Sequence, residues 1–505
     1  MIKIIWFFLL FSMVSSFAQN PYTYTYIFYP HNFVSGQYFG YFPLITDSVM
    51  FISANNDESN GEASGSIYYY RKINNSWVFI RQISPSDGKP RGSFGIPIYL
   101  KNNCLYVGSV DGVYIFDYIN NDWIERKKII PNNQFAYNFG RSIIEFNDQL
   151  FIGAELDSRF FVEGAGSVHV YNKNSNGEWE LSQMIYSKNQ KFYAYFGYKL
   201  EINTTSQHLF IAAPMDSNDV GYFAGNVYVL SKFDSLWEVT QILSPDNSDQ
   251  FPYFGASLAT KGNYLFVGAS GSMSTQTGGS IYVYKLINNY WQFLKKIPSP
   301  INIRRDYFGY SIVVQGDTIL VGSPGSQTDG KRIAKVYLYL QKNDDFELKY
   351  EFEPNDSNYY DGFGIGISMN KGEILIGAKD GKNNNISTGR AYLYSLFPMS
   401  NNDRFDKLDN YLLSQNYPNP FSSGGGSAYG GNSSTMIEYT IKDKQFVTLK
   451  VYDMLGREVA VLVNDERAAG RYKVEFNASG LSSGVYVYIL TAGTFVSSKK
   501  MMIVK

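Results

Sequence analysis

The oxygen-bearing side chains most densely placed for chemistry are Asp57, Glu58, Asn60 and Glu62, inside the segment 55–65. Carboxylate and amide oxygens so close together could hold a cation. A Ca²⁺ site, however, takes six to eight oxygens, and the alternating ligand spacing is incomplete here. Single carboxylates stand in corresponding segments farther along, at Asp157, Asp216, Asp219, Asp329 and Asp380. Histidine offers little: of His31, His169 and His208, none sits at metal-ligand spacing with another His or Cys. There is no Gly-x-Ser-x-Gly nucleophile elbow and no phosphate-cradling glycine loop. A carboxylate pair can still assemble across distant segments without leaving a trace in the sequence. Cys104 is the only cysteine, so no intrachain disulfide exists, and its Cys-Leu-Tyr-Val setting reads as a buried, inert thiol. Arg304, Arg305 and Asp306 read as a surface charge cluster.

What positions these residues is a repeat. Phe-Gly recurs at 39, 94, 139, 196, 254, 308 and 363, with spacings of 55, 45, 57, 58, 54 and 55 residues. A period of this size marks a propeller or a solenoid. Each copy reads as four strands. The first starts at Phe-Gly and the second ends in a small-residue corner such as Gly153-Ala154. The third alternates, as in Val168-His169-Val170-Tyr171, where His169 takes a place held by Tyr in sister copies. The fourth starts with Trp at 77, 123, 179, 237 and 291, and with Phe346 in the sixth copy. From the Phe to the corner's second small residue is 15 residues in six copies and 17 in the fourth. The seventh copy lacks a fourth strand. Tyr22 to Tyr29, followed by Pro30 nine residues before Phe39, supplies one from the other end of the chain. A ring closed in this way leaves no exposed sheet edge.

Composition agrees with an all-β chain: among 505 residues, 43 Tyr, 37 Phe and 45 Gly accompany no long helical pattern. A formal net charge of −1 gives no basic footprint for nucleic acid or an anionic membrane. Residues 1–18 read as a secretory signal peptide, with Lys3, an apolar run from Ile4 to Val14, and Ser16-Phe17-Ala18 at the cleavage site. No later segment is apolar enough for a transmembrane helix. Tyrosine directly precedes Phe-Gly at 38, 195, 253 and 307, with Tyr137 and Tyr360 nearby. These rings serve either as platforms for sugars or as packing between repeats.

The seven copies, over about 22–396, resemble FG-GAP repeats, the units of the integrin α-chain head and of many bacterial secreted proteins. The resemblance implies a seven-bladed β-propeller whose variable loops crowd one face. The family's calcium loop does not carry over. Between the Phe-Gly strand and the corner stand tight turns such as Thr260-Lys261-Gly262-Asn263. No cofactor is expected.

After a polar linker, 397–411, the composition changes. Asn416-Tyr417-Pro418-Asn419-Pro420-Phe421 opens a series of short strands that reads as a small immunoglobulin-like β-sandwich. Together with Gly456 in Met454-Leu455-Gly456-Arg457, Gly484 and Tyr486 in Ser483-Gly484-Val485-Tyr486, and the closing Lys499-Lys500, this segment resembles the type A sorting domain of the type IX secretion system. The Gly-rich insert after Phe421 is a departure from that family. The resemblance implies Sec export to the periplasm of a Bacteroidetes-like bacterium, recognition by the outer-membrane translocon and removal of the tail by its sortase. The product is then secreted or held on the outer cell surface.

The chain therefore reads as a signal peptide (1–18), a propeller (19–396), a linker (397–411) and a sorting domain (412–505). Its expected role is binding or adhesion, with the loops meeting an extracellular protein or glycan. A hydrolase acting on extracellular polysaccharide or glycoconjugate, and a purely structural surface component, are the alternatives.

Overall fold

A computed structural model describes residues 22–396 and 411–504. Excepted are 31–33, 74–75, 133–135, 159–161, 188–190, 219–220, 222, 246–252, 272–276, 326–333, 355–360, 384–385, 414–415, 417–418, 420, 423–433, 468–469 and 494. The signal peptide, Asp219, Asp329, Tyr417, Pro418 and Pro420 lie outside the described residues, as do His31 and Tyr360. The chain divides into two units, Met1–Phe397 and Pro398–Lys505.

The first unit is all-β and propeller-like. Phe-Gly lies at or just before the first strand of each of seven four-stranded antiparallel sheets. The first sheet runs Phe39–Ile45, Val49–Ala54, Ser66–Ile73 and Ser76–Ile83, each strand beside the next. Five more follow the same order over 98–129, 136–185, 199–243, 254–298 and 311–352. The seventh contains Phe363–Asn370, Glu373–Ala378 and Arg390–Leu396, with Tyr22–Phe28 paired antiparallel to the last of these.

Every residue of the motif has a packing task. All seven Phe rings are buried. Each meets an aromatic ring on the third strand of its own sheet edge-on: Tyr68, Tyr114, His169, Tyr228, Tyr282, Tyr337 and Tyr392 in order, at 5.0–5.5 Å. His169 is thus the structural counterpart of six tyrosines, and its Nε2 lies 3.1 Å from Ser167 Oγ. All seven glycines after Phe have φ between +90 and +117°, a region that side chains with a Cβ rarely enter.

The corner glycine does a second job. A Cβ at Gly153, Gly268, Gly322 or Gly377 would collide with the carbonyl oxygen of Gly197, Gly309, Gly364 or Gly40, each in the following sheet. Backbone therefore lies on backbone between sheets, and only glycine permits it.

The Trp of the fourth strand links sheets at a larger radius. Trp123 stands edge-on to Phe51, Trp237 to Phe151 and Trp291 to Phe210, in each case in the preceding sheet. The indole N–H of Trp237 donates to Gln149 Oε1 (3.1 Å), and that of Trp291 to His208 Nδ1 (3.0 Å). The same device connects the seventh sheet to the first: Trp77 Nε1 donates to Glu373 Oε1 at 3.3 Å, and Lys72 pairs with Glu373 at 2.7 Å.

The second unit has a three-stranded sheet (Leu412–Leu413, Ser434–Ile441, Gly470–Asn477). Its five-stranded sheet comprises Phe421–Ser422, Phe495–Val504, Gly484–Ala492, Gln445–Tyr452 and Glu458–Arg467. Strict alternation in Gln445–Tyr452 and Gly484–Ala492 sends Val447, Leu449, Val451, Tyr488 and Leu490 inward to meet Ile437, Tyr439 and Phe476. This is a sandwich core.

Candidate functional site

Register shifts accompany the motif. The ladder skips between Phe39 and Pro43, Phe139 and Ser142, Phe254 and Ser257, and Phe363 and Ile367. A bulge frees the residue after Phe-Gly from pairing and re-aims its side chain. In sheet order that residue is Tyr41, Ile96, Arg141, Tyr198, Ala256, Tyr310 and Ile365.

Several of these side chains converge from different sheets. Tyr41 Oη (first sheet) lies 3.4 Å from Tyr310 Oη (sixth). The Arg141 guanidinium (third) sits 4.6 Å from the ring centre of Tyr198 (fourth) and donates to Glu155 Oε2 at 3.1 Å. Asn138 Nδ2 donates to the other oxygen of Glu155, also at 3.1 Å. Lys199, next to Tyr198, reaches over the ring of Phe42 in the first sheet, with Nζ 5.8 Å from its centre. Tyr253 of the fifth sheet closes on Tyr198, ring centre to ring centre 6.0 Å. Tyr41, Arg141, Lys199 and Tyr310 keep partial access to solvent.

The electrostatics follow from burial. Lys199 is pushed down to about 8, by burial and then by the positive charge of Arg141, against the pull of Glu155. Two residues on along the same strand, Glu201 is pushed up to about 7 by burial, with Thr260 Oγ1 donating to Oε1 at 2.8 Å. Burial opposes the charge on Arg141, but Glu155 and the surrounding tyrosines outweigh it, so the guanidinium stays protonated. The Tyr310 hydroxyl is raised, first by its neighbour Tyr41 and then by burial. At neutral pH the cluster holds the Arg141 and Lys199 cations among tyrosine hydroxyls.

Tyrosine stands one residue before four of the seven motifs. Tyr38, Ser93, Asn138, Tyr195, Tyr253, Tyr307 and Gly362 all hold φ between +49 and +69°. Asn and Gly accept this left-handed conformation readily, whereas tyrosine is strained in it. Tyr137 is 60% exposed and Tyr38 36%, with Lys379 Nζ 4.6 Å above the Tyr38 ring. The contacts of Tyr253 with Tyr198 and of Tyr193 with Tyr195 are packing, one of the two uses that the sequence allowed.

The loop carboxylates do not come together. Asp57, Asp157 and Asp216 are buried in three separate sheets, each three residues after its corner alanine. Their carbonyls accept from the glycine that opens the third strand (Gly65, Gly166, Gly225; 2.9–3.1 Å). Their carboxylates are used internally: Asp57 Oδ2 by Gln37 Nε2 (3.0 Å), Asp157 Oδ2 by Ser167 Oγ (2.7 Å), and Asp216 Oδ2 by Asn226 Nδ2 (2.9 Å) and Tyr228 Oη (2.5 Å). Glu58 and Asn60 are exposed, with Asn60 Nδ2 on the Pro85 carbonyl, and Asp380 pairs with its neighbour Lys379. Among the described residues no three His, Cys, Asp or Glu side chains are grouped to hold a metal ion.

Two sequence readings need correction. Asp306 is not on the surface: it is fully buried and its Oδ1 accepts from the N–H of Phe308 (3.0 Å) and of Gly279 (2.8 Å). Cys104 is only partly buried, though burial raises its thiol.

A second concavity of about 510 Å³ lies beside the tight turns, lined by residues including Asp47, Arg71, Lys72, Asn102, Trp123 and Asn370. Arg141 and Lys199 went unnoticed in the sequence. The signal was a charge inside a Phe-Gly strand: Lys199 stands where Ser142, Ser257 and Ser311 occupy sister copies.

In the second unit, buried Asn416 donates its N–H to Tyr488 Oη (2.7 Å) and its Nδ2 to Thr435 Oγ1 (3.0 Å). Asn419 Oδ1 accepts from Met502 N at 2.7 Å, and Phe421 is in the core. Tyr486 Oη donates to Ser482 O (3.0 Å), Gly456 closes a turn at φ +77°, and Gly484 opens its strand at φ +156°. Lys499 and Lys500 are exposed on the last strand.

Residues 416–505 match the family described as the secretion system C-terminal sorting domain. The tail is thus a type IX sorting domain, which indicates export to the cell surface or extracellular space in Bacteroidetes. No curated protein matches the chain. Among solved structures it is similar to PorZ, a surface component of the type IX secretion system of Porphyromonas gingivalis, at 12% identity and TM-score 0.45, over 94% of this chain and 61% of that one. It is also similar to the extracellular domain of a hybrid two-component system protein of B. thetaiotaomicron (11%, TM-score 0.45, 94% and 57%). A third is a periplasmic gluconolactonase of Pseudomonas aeruginosa (13%, TM-score 0.41, 62% and 84%). The chain spans about three-fifths of the length of the first two.

Proposed function

We propose that this chain is an exported binding protein, not an enzyme. In this reading its seven sheets are the blades of a closed, FG-GAP-type propeller, whose tyrosine-rimmed mouth takes an extracellular glycan. The pairing of Tyr22–Phe28 in the seventh sheet and the Trp77–Glu373 link between the seventh sheet and the first support a closed ring. Its tail is read by the type IX translocon and sortase.

The observation that carries this reading is the strain at the rim. A left-handed conformation costs an L-residue roughly 1–2 kcal/mol. Gly362 and Asn138 occupy the same place in sister sheets at lower cost. Tyrosine at 38, 195, 253 and 307 is therefore kept against stability, and strain of this kind concentrates at functional sites. An amphipathic ring at a mouth suits stacking on a sugar face with the hydroxyl left for hydrogen bonds.

The test is a glycan array and a surface pull-down with the full-length chain and with a Tyr195→Asn/Tyr253→Asn/Tyr307→Asn variant. Glycan capture that the triple variant loses is the expected result. Capture of a protein alone would move the ligand to the adhesion class. Robust polysaccharide turnover abolished by one carboxylate substitution would replace binding with hydrolysis. For the tail, deletion of 412–505 is expected to leave the protein in the periplasm, and continued surface display would refute that.

A further inference from the structure

Lys199 is the one member of the mouth cluster whose charge is not answered. Arg141 has Glu155, whose two oxygens accept from Arg141 and from Asn138, and among the described residues no ion pair joins Glu155 to Lys199. The Lys199 ammonium lies over the rings of Phe42 and Tyr198, at 5.8 and 6.0 Å from their centres, and no carboxylate pairs with it among the described residues. A cation over ring faces keeps part of its solvation, but a buried charge without a counter-ion is costly. The neighbouring carboxylate on its own strand, Glu201, gives no relief. It lies two residues along, hydrogen-bonded to Thr260, and burial favours its neutral form. The site as built leaves the Lys199 ammonium without an ion-pair partner among the described residues.

We propose that the mouth takes a saccharide residue bearing a single negative charge, its anion meeting Lys199 Nζ beside Arg141 and its ring lying against Tyr41 or Tyr310. One ammonium without an ion-pair partner matches one anion. The tyrosine hydroxyls, with Tyr41 and Tyr310 only 3.4 Å apart, supply donors and acceptors for sugar hydroxyls. A carboxylate of a uronic acid and a sulfate ester share this chemistry. The inference rests on the glycan reading above and narrows it.

The experiment is calorimetric titration of the full-length chain with oligogalacturonide, with a singly sulfated galactan oligosaccharide and with a neutral galactan of equal length. It is repeated for Lys199→Met and Lys199→Arg. One charged probe is expected to bind at least ten-fold more tightly than the neutral one, and which of the two does so names the anion. Lys199→Met is expected to remove the preference, and Lys199→Arg to keep most of it. Lys199→Met relieves a buried charge, so its melting temperature should not fall, and a loss of binding is not a loss of fold. Equal binding of neutral and charged probes, or a charge preference that survives Lys199→Met, overturns the inference and leaves the glycan reading in place. Binding of none of the three probes, with a glycan array blank as well, overturns both.

Discussion

Phe-Gly and the residue that follows it are neighbours in the chain and opposites in behaviour. The pair is the same in all seven sheets, because the Phe ring fills one socket against a third-strand aromatic and the Gly backbone touches the preceding sheet. The next residue is Tyr, Ile, Arg, Tyr, Ala, Tyr and Ile in turn. In four of the sheets it falls within a register shift, and its type is not held constant by a shared socket. Uniformity marks what the fold requires, and divergence at an equivalent position marks what the fold leaves free for recognition.

The comparison breaks hardest at the glycines. Gly322→Ala drives a Cβ into the Gly364 carbonyl and is expected to cost roughly 3–5 kcal/mol, read by urea unfolding. Gly316→Ala, at φ +58° in a turn with nothing within 4 Å, should cost only about 1 kcal/mol. Equal losses would mean that the two sheets shift enough to admit the added methyl, and that their contact does not fix Gly322. At the motif itself, Phe308→Ala empties a buried socket and should cost about 3–5 kcal/mol. Tyr310→Ala, two residues away, should change stability by less than about 1 kcal/mol while weakening glycan capture.

A middle-sized effect is expected from Glu201. Its folded value, about 7, lies above the ordinary carboxylate value of 4.5. Between these two pH values the folded chain holds a proton that the unfolded chain has lost. The contribution is full below 4.5, declines as pH rises to 7, and stays lost above that. Glu201→Gln should flatten this part of the stability profile by roughly 1–3 kcal/mol, as measured by thermal melts across that range. An unchanged profile would place Glu201 in bulk-like solvent.

The smallest effect has the opposite sign. Tyr307→Asn relieves a left-handed tyrosine (φ +54°) and should raise stability by about 0.5–1 kcal/mol while lowering glycan capture. A variant that loses stability would show that the ring is there for packing.

Much of this was legible in the chain. The repeat, the four-strand unit and the tail are written in local order: alternation, glycine corners and a run of ordered motifs between 416 and 505. The tyrosines before Phe-Gly were visible too, as a recurring type with two possible uses. Their strain was not visible, because φ follows the position, which Ser93, Asn138 and Gly362 share, and not the residue. The loop carboxylates misled for a related reason. Asp57, Asp157 and Asp216 look like free oxygens in polar loops, yet each ties its loop to a third strand.

By itself, the sequence determined which segments pair as strands, where glycine is obligatory and where the exported chain carries its sorting signal. Those properties depend on neighbours within a few tens of residues. Only the tertiary structure decided that Tyr41 meets Tyr310 and that Lys199 reaches Phe42, across separations of 269 and 157 residues. Such a site is made by side chains that share no strand, turn or periodicity. It exists because the first strands of separate sheets bring their side chains to one place.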